Sequence, residues 1–382
     1  MVKSDRTAFG IIFPNYYDEL VPELVSERLM GSIPFAGRYR MIDFILSSMV
    51  NSGISRVSVL ARKNYHSLMD HLGSGREWDL TRKNGGLTIL PPYSEKGASV
   101  YNGRIEALAS MLRFMTGVKE KYVIIADTNI AVNFDFNAFI DAHIESGADI
   151  SVAYVKEEIP AGMKSTDVTL TKSMYYTYEI DDDGRVTKLH INCDKDGIAN
   201  LGMNIYCVDR EYLIELVRQS YVEGAVYLER DVLLKKIDEI KLYAYEYKGY
   251  HARISDMRSY FEENLKLLDD ENLDALFEGG QIYTKLRDDN PTRYINGAIA
   301  KNTMAADGCL IEGEVENCVL FRGVKIGKGA KVKNCVLMQD TIVEPGAELE
   351  YVITDKVAVI SENAKLSGTD SFPVYISKRQ IV

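Results

Sequence analysis

The sequence lacks the features of secreted and membrane-spanning proteins. Its five cysteines are odd in number and show neither CxxC spacing nor companion histidines at zinc-finger spacing, which favours a reducing, cytosolic compartment. Residues 1–6 contain no apolar run of the kind found in a signal peptide, and no window approaches the roughly 18 apolar residues of a membrane span. We therefore expect a cytoplasmic protein without a membrane partner.

Basic charge is also scarce. The 382 residues contain 45 Lys and Arg against 56 Asp and Glu, which gives a formal net charge of -11. Non-specific binding of nucleic acid depends on concentrated basic charge, so no nucleic-acid partner is expected. A small anionic ligand needs only a local basic patch and is compatible with this composition. The length is sufficient for about two or three domains.

The first half of the chain alternates short apolar runs with amphipathic stretches, as βαβ units do. This pattern predicts an α/β domain with a Rossmann-like, mostly parallel sheet and helices on both faces. Ligands of such folds bind at the carboxyl ends of the strands, so the loops there are where chemistry is expected. The predicted strands are 8–13, 56–60, 122–126 and 149–154, and helical spacing covers 40–51, 104–115 and 259–277.

From about residue 299, apolar residues recur every six positions in two interleaved registers. The first contains Ile299, Ala305 and Ile311 and resumes at Leu320, Ile326, Val332 and Met338; the second contains Val324, Ala330, Val336 and Ile342. A six-residue period with glycines at the corners is typical of a hexapeptide β-helix. A small β-sandwich, the alternative, would show period-two alternation. We therefore predict a C-terminal β-helix, and solenoids of this kind commonly oligomerise.

Five stretches together resemble one family: Pro34–Phe44, Asn51–Ile54, Trp78–Leu80, Gly85–Tyr93 and Gly313–Val324. They are similar to the bacterial glucose-1-phosphate adenylyltransferases (ADP-glucose pyrophosphorylases) of glycogen synthesis. The resemblance implies a nucleotidyltransferase domain over residues 1–258, a helical linker over 259–295 and a left-handed β-helix over 296–382. It also implies assembly as a tetramer.

In that family glucose 1-phosphate attacks the α-phosphorus of ATP, and ADP-glucose and pyrophosphate result. The reaction needs a glycine-rich backbone cradle, a cation on the triphosphate, magnesium held by carboxylates and a polar pocket for the sugar phosphate. The cradle is disabled here, because the strand runs into Pro14 and the loop has no glycine and no basic residue before Arg28. Asp18 and Glu19 would moreover repel phosphate.

One of the two metal carboxylates that the resemblance implies is present. Asp127, at the carboxyl end of a strand, matches the first. Arg253 replaces the second, and a guanidinium would repel a cation. Asp256, three residues further on, is the one carboxylate that could compensate. We therefore expect no dependable metal site, with Mg²⁺ as a cofactor only if some activity remains.

The substrate positions implied by the resemblance are partly kept. The matching residues are Tyr206 in the sugar-phosphate pocket and Tyr101, Gly103 and Ala107 on the nucleotide side. The departures are Asn192 for a lysine, Gly202 for a serine, His251 for a tryptophan, and Arg104 and Glu106 where small or acidic residues are usual. A nucleotide could still dock at the matching positions.

Basic residues near the expected domain junction form a further candidate site. Arg38 and Arg40 flank a tyrosine there, and Lys378 and Arg379 lie near the end of the chain. In the family, matching basic residues gather an allosteric phosphate effector between the two domains. The alternative is that these charges are solvated or paired with Asp43 and similar acids, as surface charges usually are.

The departures fall on the catalytic parts, whereas the framework motifs are intact. This pattern resembles the catalytically degenerate, GlgD-type regulatory subunit of the family, which implies a hetero-oligomer with a catalytic subunit and a phosphorylated effector or nucleotide as ligand. Two alternatives stay open: an adenylyltransferase with low activity of its own, and a stand-alone sugar-nucleotide or phosphate sensor. Arg253 argues against an adenylyltransferase with activity of its own. Co-purification with a catalytic subunit would distinguish a regulatory subunit from a stand-alone sensor.

Overall fold

The computed structural model describes residues 6–91, 101–164, 174–193, 196–295 and 297–382. Residues 1–5, the end of the predicted motif at 92–93 and the predicted domain boundary at 296 lie outside the described residues. No helix in the described ranges is long and apolar enough to cross a membrane.

The strands and α-helices of the first part are β1 (Ala8–Phe13), β2 (Pro34–Phe35), β3 (Tyr39–Arg40), α1 (Met41–Asn51), β4 (Arg56–Leu60), α2 (His66–Leu72), β5 (Gly86–Leu90), α3 (Arg104–Ser110), α4 (Leu112–Gly117), β6 (Tyr122–Asp127), β7 (Ile130–Val132), α5 (Phe136–Ser146), β8 (Ile150–Glu158), α6 (Ala161–Lys164), β9 (Tyr176–Ile180), β10 (Val186–Ile191), β11 (Ile198–Asp209), α7 (Arg210–Val222), β12 (Leu242–Glu246) and β13 (His251–Arg253). Short 3₁₀ helices cover Asp18–Leu20, Met30–Ser32 and Arg76–Trp78, and a π-helix covers Leu228–Leu233.

The first part is built around one large sheet, with nine strands in the described ranges. Its order is β10-β9-β11-β6-β1-β4-β5; β8 also pairs with β11, and β12 pairs with β8. The strands β6, β1, β4 and β5 are parallel, so their carboxyl ends meet at one edge. The predicted α/β class is confirmed. The long strand β11 runs antiparallel to β6 and β8, and these pairs extend the parallel part.

Both faces of the central parallel strands β1 and β6 are buried, which explains why their sequences are almost entirely apolar. Successive side chains of a strand point to opposite faces. Ile12 and Ile124 therefore pack into one core with α1 and α5, whereas Ile11 and Ile125 pack into a second core with α3 and α7.

The elements after residue 256 are α8 (Met257–Lys266), α9 (Asp270–Phe277), β14 (Arg293–Tyr294), β15 (Ile299–Ala305), β16 (Leu310–Ile311), β17 (Glu314–Leu320), β18 (Lys325–Ile326), β19 (Lys331–Lys333), β20 (Val336–Leu337), β21 (Ile342–Val343), β22 (Glu348–Glu350), β23 (Val352–Thr354), β24 (Val359–Ile360), β25 (Lys365–Ser367) and β26 (Val374–Ile376). The segment predicted as helical over 259–277 therefore contains two helices. The second begins at Asp270 and is capped by Asp269, whose carboxylate accepts hydrogen bonds from Glu271 N and Asn272 N.

The strands of the second part stack in parallel, coil upon coil, so the predicted hexapeptide β-helix is confirmed. Glu314 pairs with Lys331 and Lys331 with Glu348, and these partners lie 17 positions apart. Each of these coils is thus one residue shorter than three hexapeptides. Inside the coils, Val332 and Leu349 stack at the same spacing.

One side of the β-helix packs against the first part through α8. On this side both faces of the strands are buried, because Leu337 fills the coil interior and the adjacent Val336 joins the core of the first part. Helix α8 lies between the β-helix and the first part of the chain, and its buried Tyr260 donates a hydrogen bond of 2.8 Å to Pro34 O. The sequence register predicted Val336 and Met338 as coil interior, whereas both belong to this interdomain core.

One corner of the β-helix contains residues with left-handed backbone geometry in successive coils. They are Gly308, Gly323, Asp340, Val357 and Arg379, with φ angles of 77°, 73°, 59°, 62° and 61°. Glycine and aspartate tolerate this region, but a β-branched side chain does not. Val357 is 45% exposed, so its packing offsets little of the backbone cost of about 1–2 kcal/mol.

We expect Val357→Asn to raise the free energy of unfolding by about 1 kcal/mol, because asparagine adopts the left-handed region at lower cost. The change is measured by urea unfolding followed by circular dichroism. Val359→Asn is the matched control, since Val359 lies in strand β24 of the same coil and the substitution there should lower the stability. A loss of stability in both variants would contradict the prediction.

Candidate functional site

The loop after β1 is closed by its own hydrogen bonds. Asp18 accepts from Asn15 Nδ2 at 2.8 Å and from Met30 N at 2.7 Å, and Asn15 Oδ1 accepts from Arg62 N at 2.8 Å. Burial raises the pKa of Asp18 to about 6, against the effect of these hydrogen bonds. The family resemblance implies a phosphate-binding cradle here, but the side chains of this loop hydrogen-bond to backbone N–H groups of the chain itself.

At the carboxyl end of β6, Asp127 is bound by an internal cation. The guanidinium of Arg104 pairs with Asp127 through Nη2 and with Glu229 through Nη1, and each of the three side chains is at most 1% exposed. Tyr206 Oη donates to Glu229 Oε1 at 2.7 Å. The guanidinium also lies 4.0 Å from the centre of the Tyr16 ring. We call Arg104, Asp127 and Glu229 the Arg104 cluster.

The charges of the Arg104 cluster do not balance, because one guanidinium faces two carboxylates. Burial raises the pKa of Asp127 to about 6, although the charge of Arg104 lowers it. Burial likewise raises the pKa of Tyr206 well above its usual value. A carboxylate whose pKa is about 6 is still mostly ionised at pH 7, so it is the ion pair with Arg104, and not protonation, that occupies Asp127.

Arg253, at the position of the second metal carboxylate, is part of another buried network. Its Nε donates to Glu157 Oε1 at 2.8 Å and its Nη1 to Gly202 O at 3.2 Å, while His251 Nε2 lies 2.9 Å from Glu157 Oε2. Although burial of Glu157 acts in the opposite direction, the charges of Arg253 and His251 lower the pKa of Glu157 to about 2. The guanidinium of Arg253 is therefore paired with a carboxylate of the protein itself.

The residues at this edge of the sheet do not fit the Mg²⁺ that the family resemblance implies. Asp127 is paired with Arg104, and Arg253 brings a second positive charge. The Asp256 carboxylate caps helix α8 by accepting from Ser259 N at 2.6 Å. Across the described ranges, no group of three or more His, Cys, Asp or Glu side chains is arranged to hold a metal ion.

Packing accounts for the residues that match on the nucleotide side. A Cβ on Gly103 would lie 2.2 Å from Val226 O, so only glycine fits there, and Ala107 is fully buried. Tyr101 and Gly103 line a cavity of about 10 Å³ beside Arg104. Among the described residues this cavity has space for about one water molecule, which is too little for a nucleotide. Binding of a nucleotide by these residues stays a prediction.

Sequence reasoning noted Arg104 and Tyr206 but missed Glu229, which joins them. Glu229 lies in the first turn of the π-helix, 125 residues from Arg104. No spacing or motif marks such a long-range pair. The π-helix is a local structural signal, since this rare geometry often occurs at functional sites. It cannot, however, be predicted from the sequence.

A second site lies between the two parts of the chain, where a cavity of about 430 Å³ is lined mostly by polar residues. Of the predicted effector residues, Arg38, Arg40 and Lys378 line this junction pocket, whereas Arg379 is not part of the lining. Basic lining residues that the sequence reasoning missed are His66, His71, Lys285, Arg287, Arg322 and Lys356.

The β-helix supplies its wall of the junction pocket from one corner repeated in successive coils. This corner column consists of Arg322, Gln339, Lys356 and Lys378. Each residue precedes a left-handed corner residue, and the carbonyls of Arg322, Gln339 and Lys356 accept from the corner N–H of the next coil at 2.9–3.1 Å. Because neighbouring strands lie about 4.8 Å apart, the column is a row of evenly spaced side chains.

Two cations of the junction pocket are left for a ligand. The charged groups of Arg38 and Lys356 have neither a carboxylate nor a hydrogen-bond partner among the residues described. Arg40 and Arg322 also lack a carboxylate, but they donate to Ser67 O and to Lys285 O. Asp43, the predicted alternative partner, is paired with His71 at 2.6 Å. Burial, together with the charges of Arg40 and Arg28, lowers the pKa of Lys356 to about 7. The pocket therefore gains positive charge as the pH falls through neutrality.

A buried ion pair fixes the junction beside this pocket. Arg28 Nη2 lies 2.6 Å from Asp355 Oδ1, and both side chains are at most 3% exposed. The same carboxylate accepts from Lys356 N at 2.6 Å and from Tyr375 Oη at 2.8 Å. The neighbouring residue Glu27 pairs with Lys378 across the same junction, but its side chain is 52% exposed.

We expect Arg28→Ala to lower the free energy of unfolding by about 3–5 kcal/mol, because it leaves the Asp355 carboxylate buried without its partner. Glu27→Gln is the matched control at the next residue, and its effect should stay below about 1 kcal/mol because that pair is exposed to solvent. Urea unfolding followed by circular dichroism measures both. Equal effects of the two substitutions would contradict the analysis.

Comparison with known proteins covers both parts of the chain. Residues 24–163 match the nucleotidyl transferase family, and residues 288–371 match the GlmU-like C-terminal hexapeptide family. The glycogen biosynthesis protein GlgD of Bacillus subtilis is 34% identical over 371 residues, 97% of this chain and 95% of its own length. GlgD of Geobacillus stearothermophilus is 35% identical over 329 residues, 85% of this chain and 82% of its own.

The glucose-1-phosphate adenylyltransferase of Bacillus cytotoxicus is 32% identical over 307 residues, which is 79% of either chain. The likeness to GlgD of Bacillus subtilis covers 97% of this chain and therefore includes both the sheet domain and the β-helix. The chain therefore belongs to the family of GlgD glycogen biosynthesis proteins and glucose-1-phosphate adenylyltransferases.

Proposed function

We propose that this chain is a regulatory, catalytically degenerate subunit that forms a hetero-oligomer with a catalytic glucose-1-phosphate adenylyltransferase in glycogen synthesis. The Arg104 cluster carries this proposal, because it puts a buried cation on the carboxylate that would hold the metal ion. The likeness to proteins named GlgD supports the same role. A tetramer of two kinds of subunit, in the cytoplasm, is the assembly we expect.

The size of the catalytic loss supports this role over that of a slow enzyme. Loss of one preorganised electrostatic contact costs about 2–4 kcal/mol of transition-state stabilisation, and about 1.4 kcal/mol is a factor of ten in rate. The chain departs from the family at the phosphate loop, at Arg253 and at Asn192. Such losses are not additive, but together they correspond to a fall of several decades.

The junction pocket supports a regulatory rather than a merely structural role. It contains Arg38 and Lys356 without carboxylate partners in the described ranges, which suits a small anion such as a phosphorylated effector. Lys356 follows Asp355, the residue that holds Arg28 of the first part. An anion bound there would thus contact both parts of the chain and could bias their arrangement in a complex.

The proposed function predicts that the purified chain releases pyrophosphate only at background level from ATP, glucose 1-phosphate and magnesium. Mixed with a catalytic glucose-1-phosphate adenylyltransferase, it should change that enzyme's rate or its response to effectors, and the two should co-purify. Asp127→Asn is the control. Its native circular dichroism is verified first, because Asp127 belongs to the buried Arg104 cluster, and the folded variant should leave this effect on the partner unchanged. Unaided turnover that Asp127→Asn abolishes would instead identify an enzyme, and no co-purification would favour a stand-alone sensor.

We expect sulfate, which stays divalent throughout, to bind the junction pocket about fivefold more tightly at pH 6 than at pH 8, because Lys356 gains its proton in this range. Isothermal titration calorimetry measures the affinity. Lys356→Met should remove the pH dependence, whereas Lys331→Met, the same change of charge on an exposed β-helix strand, should not. A dependence that survives in Lys356→Met would assign the titration to another group of the lining.

A further inference from the structure

Within the Arg104 cluster, each carboxylate uses one oxygen for the guanidinium and keeps another without a hydrogen-bond partner. The unpartnered atoms are Asp127 Oδ1 and Glu229 Oε2, and Arg104 Nε also lacks a partner. Both carboxylates are at most 1% exposed, so solvent does not satisfy these oxygens. Buried polar atoms are almost always paired, and two unpaired oxygens beside one cation are therefore an exception that asks for a physical reason.

The charge of the cluster gives that reason. Two carboxylates face a single positive charge, so the guanidinium neutralises only half of what surrounds it. A divalent cation would balance both carboxylates and could use all four of their oxygens. Hard divalent cations prefer such oxygen ligands and complete their shell with water.

The surroundings explain why a guanidinium occupies this position in the native chain. Its central carbon lies 4.0 Å from the ring centre of Tyr16, 5.6 Å from that of Tyr206 and 5.7 Å from that of Phe13. A flat guanidinium stacks on aromatic rings and binds two carboxylates with one rigid fork of donors, whereas an ammonium group acts on a ring or a carboxylate as a compact point charge.

We propose that the Arg104 guanidinium is a built-in replacement for a divalent metal ion, and that Asp127 and Glu229 become a divalent-cation site once it is removed. The inference deepens the proposed function, since it names the residue that keeps this site from binding metal. It concerns the chain alone and makes no use of a partner subunit.

The test is binding of Mn²⁺ to the full chain, measured by electron paramagnetic resonance as the loss of the free-ion signal. Arg104→Ala is expected to bind one Mn²⁺ at least about tenfold more tightly than the native chain, and its thermal midpoint should rise with Mn²⁺. Arg104→Lys keeps the positive charge and is expected to resemble the native chain. The double variant Arg104→Ala with Glu229→Gln is expected to lose the gained affinity.

Arg104→Gln keeps the length of the side chain without its charge and serves if the alanine variant does not fold. A folded variant of either kind that binds Mn²⁺ no better than the native chain overturns the proposal. If neither variant folds, Mn²⁺ is added to them. Failure of Mn²⁺ to restore the native circular dichroism spectrum would also overturn the proposal. The regulatory role, which is tested with the native chain and its partner, would stand after such a result.

Discussion

The ion pairs of Arg104 are the constraint on which the first domain depends. A buried charge persists only while it is paired, so the start of α3, the end of β6 and the π-helix must stay together around this side chain. The loop after β1 then closes over them, and Tyr16 lies against the guanidinium. The chain thus keeps the sheet of a nucleotidyltransferase while its ligand space is filled by its own residues.

Local patterns were sufficient for the framework and for part of the site. The central parallel strands β1 and β6 are buried on both faces and are therefore almost entirely apolar in sequence. The β-helix repeats its apolar positions because each coil stacks on the last. Asp127 and Arg253 could be placed because they lie in stretches similar to family motifs. Glu229 could not, since a pair between residues 125 positions apart leaves no periodic trace. Three members of the corner column, Arg322, Gln339 and Lys356, were missed for a related reason, because their 17-residue spacing appears only once the coil register is known.

The junction between the two parts combines an apolar core with a polar edge. Tyr260 and Val336 fill the core through α8, whereas Arg28 and Asp355 form a buried ion pair at the edge. Apolar contacts give strength but tolerate many arrangements, and a single buried ion pair selects one of them. The junction pocket opens beside this pair, so a ligand there would act at the place where the relative position of the domains is decided.

The corner column also changes how the charge of the pocket can vary during evolution. Its side chains project outward from the corners, whereas the stability of the coils depends on residues such as Val332 and Leu349 that point inward. A substitution at one corner therefore alters one rung of the column and leaves the stacked interior untouched. Relatives with the same solenoid can differ in the number and order of charges along this wall, and a repeat that arose for stability becomes a surface on which ligand preference is adjusted one coil at a time.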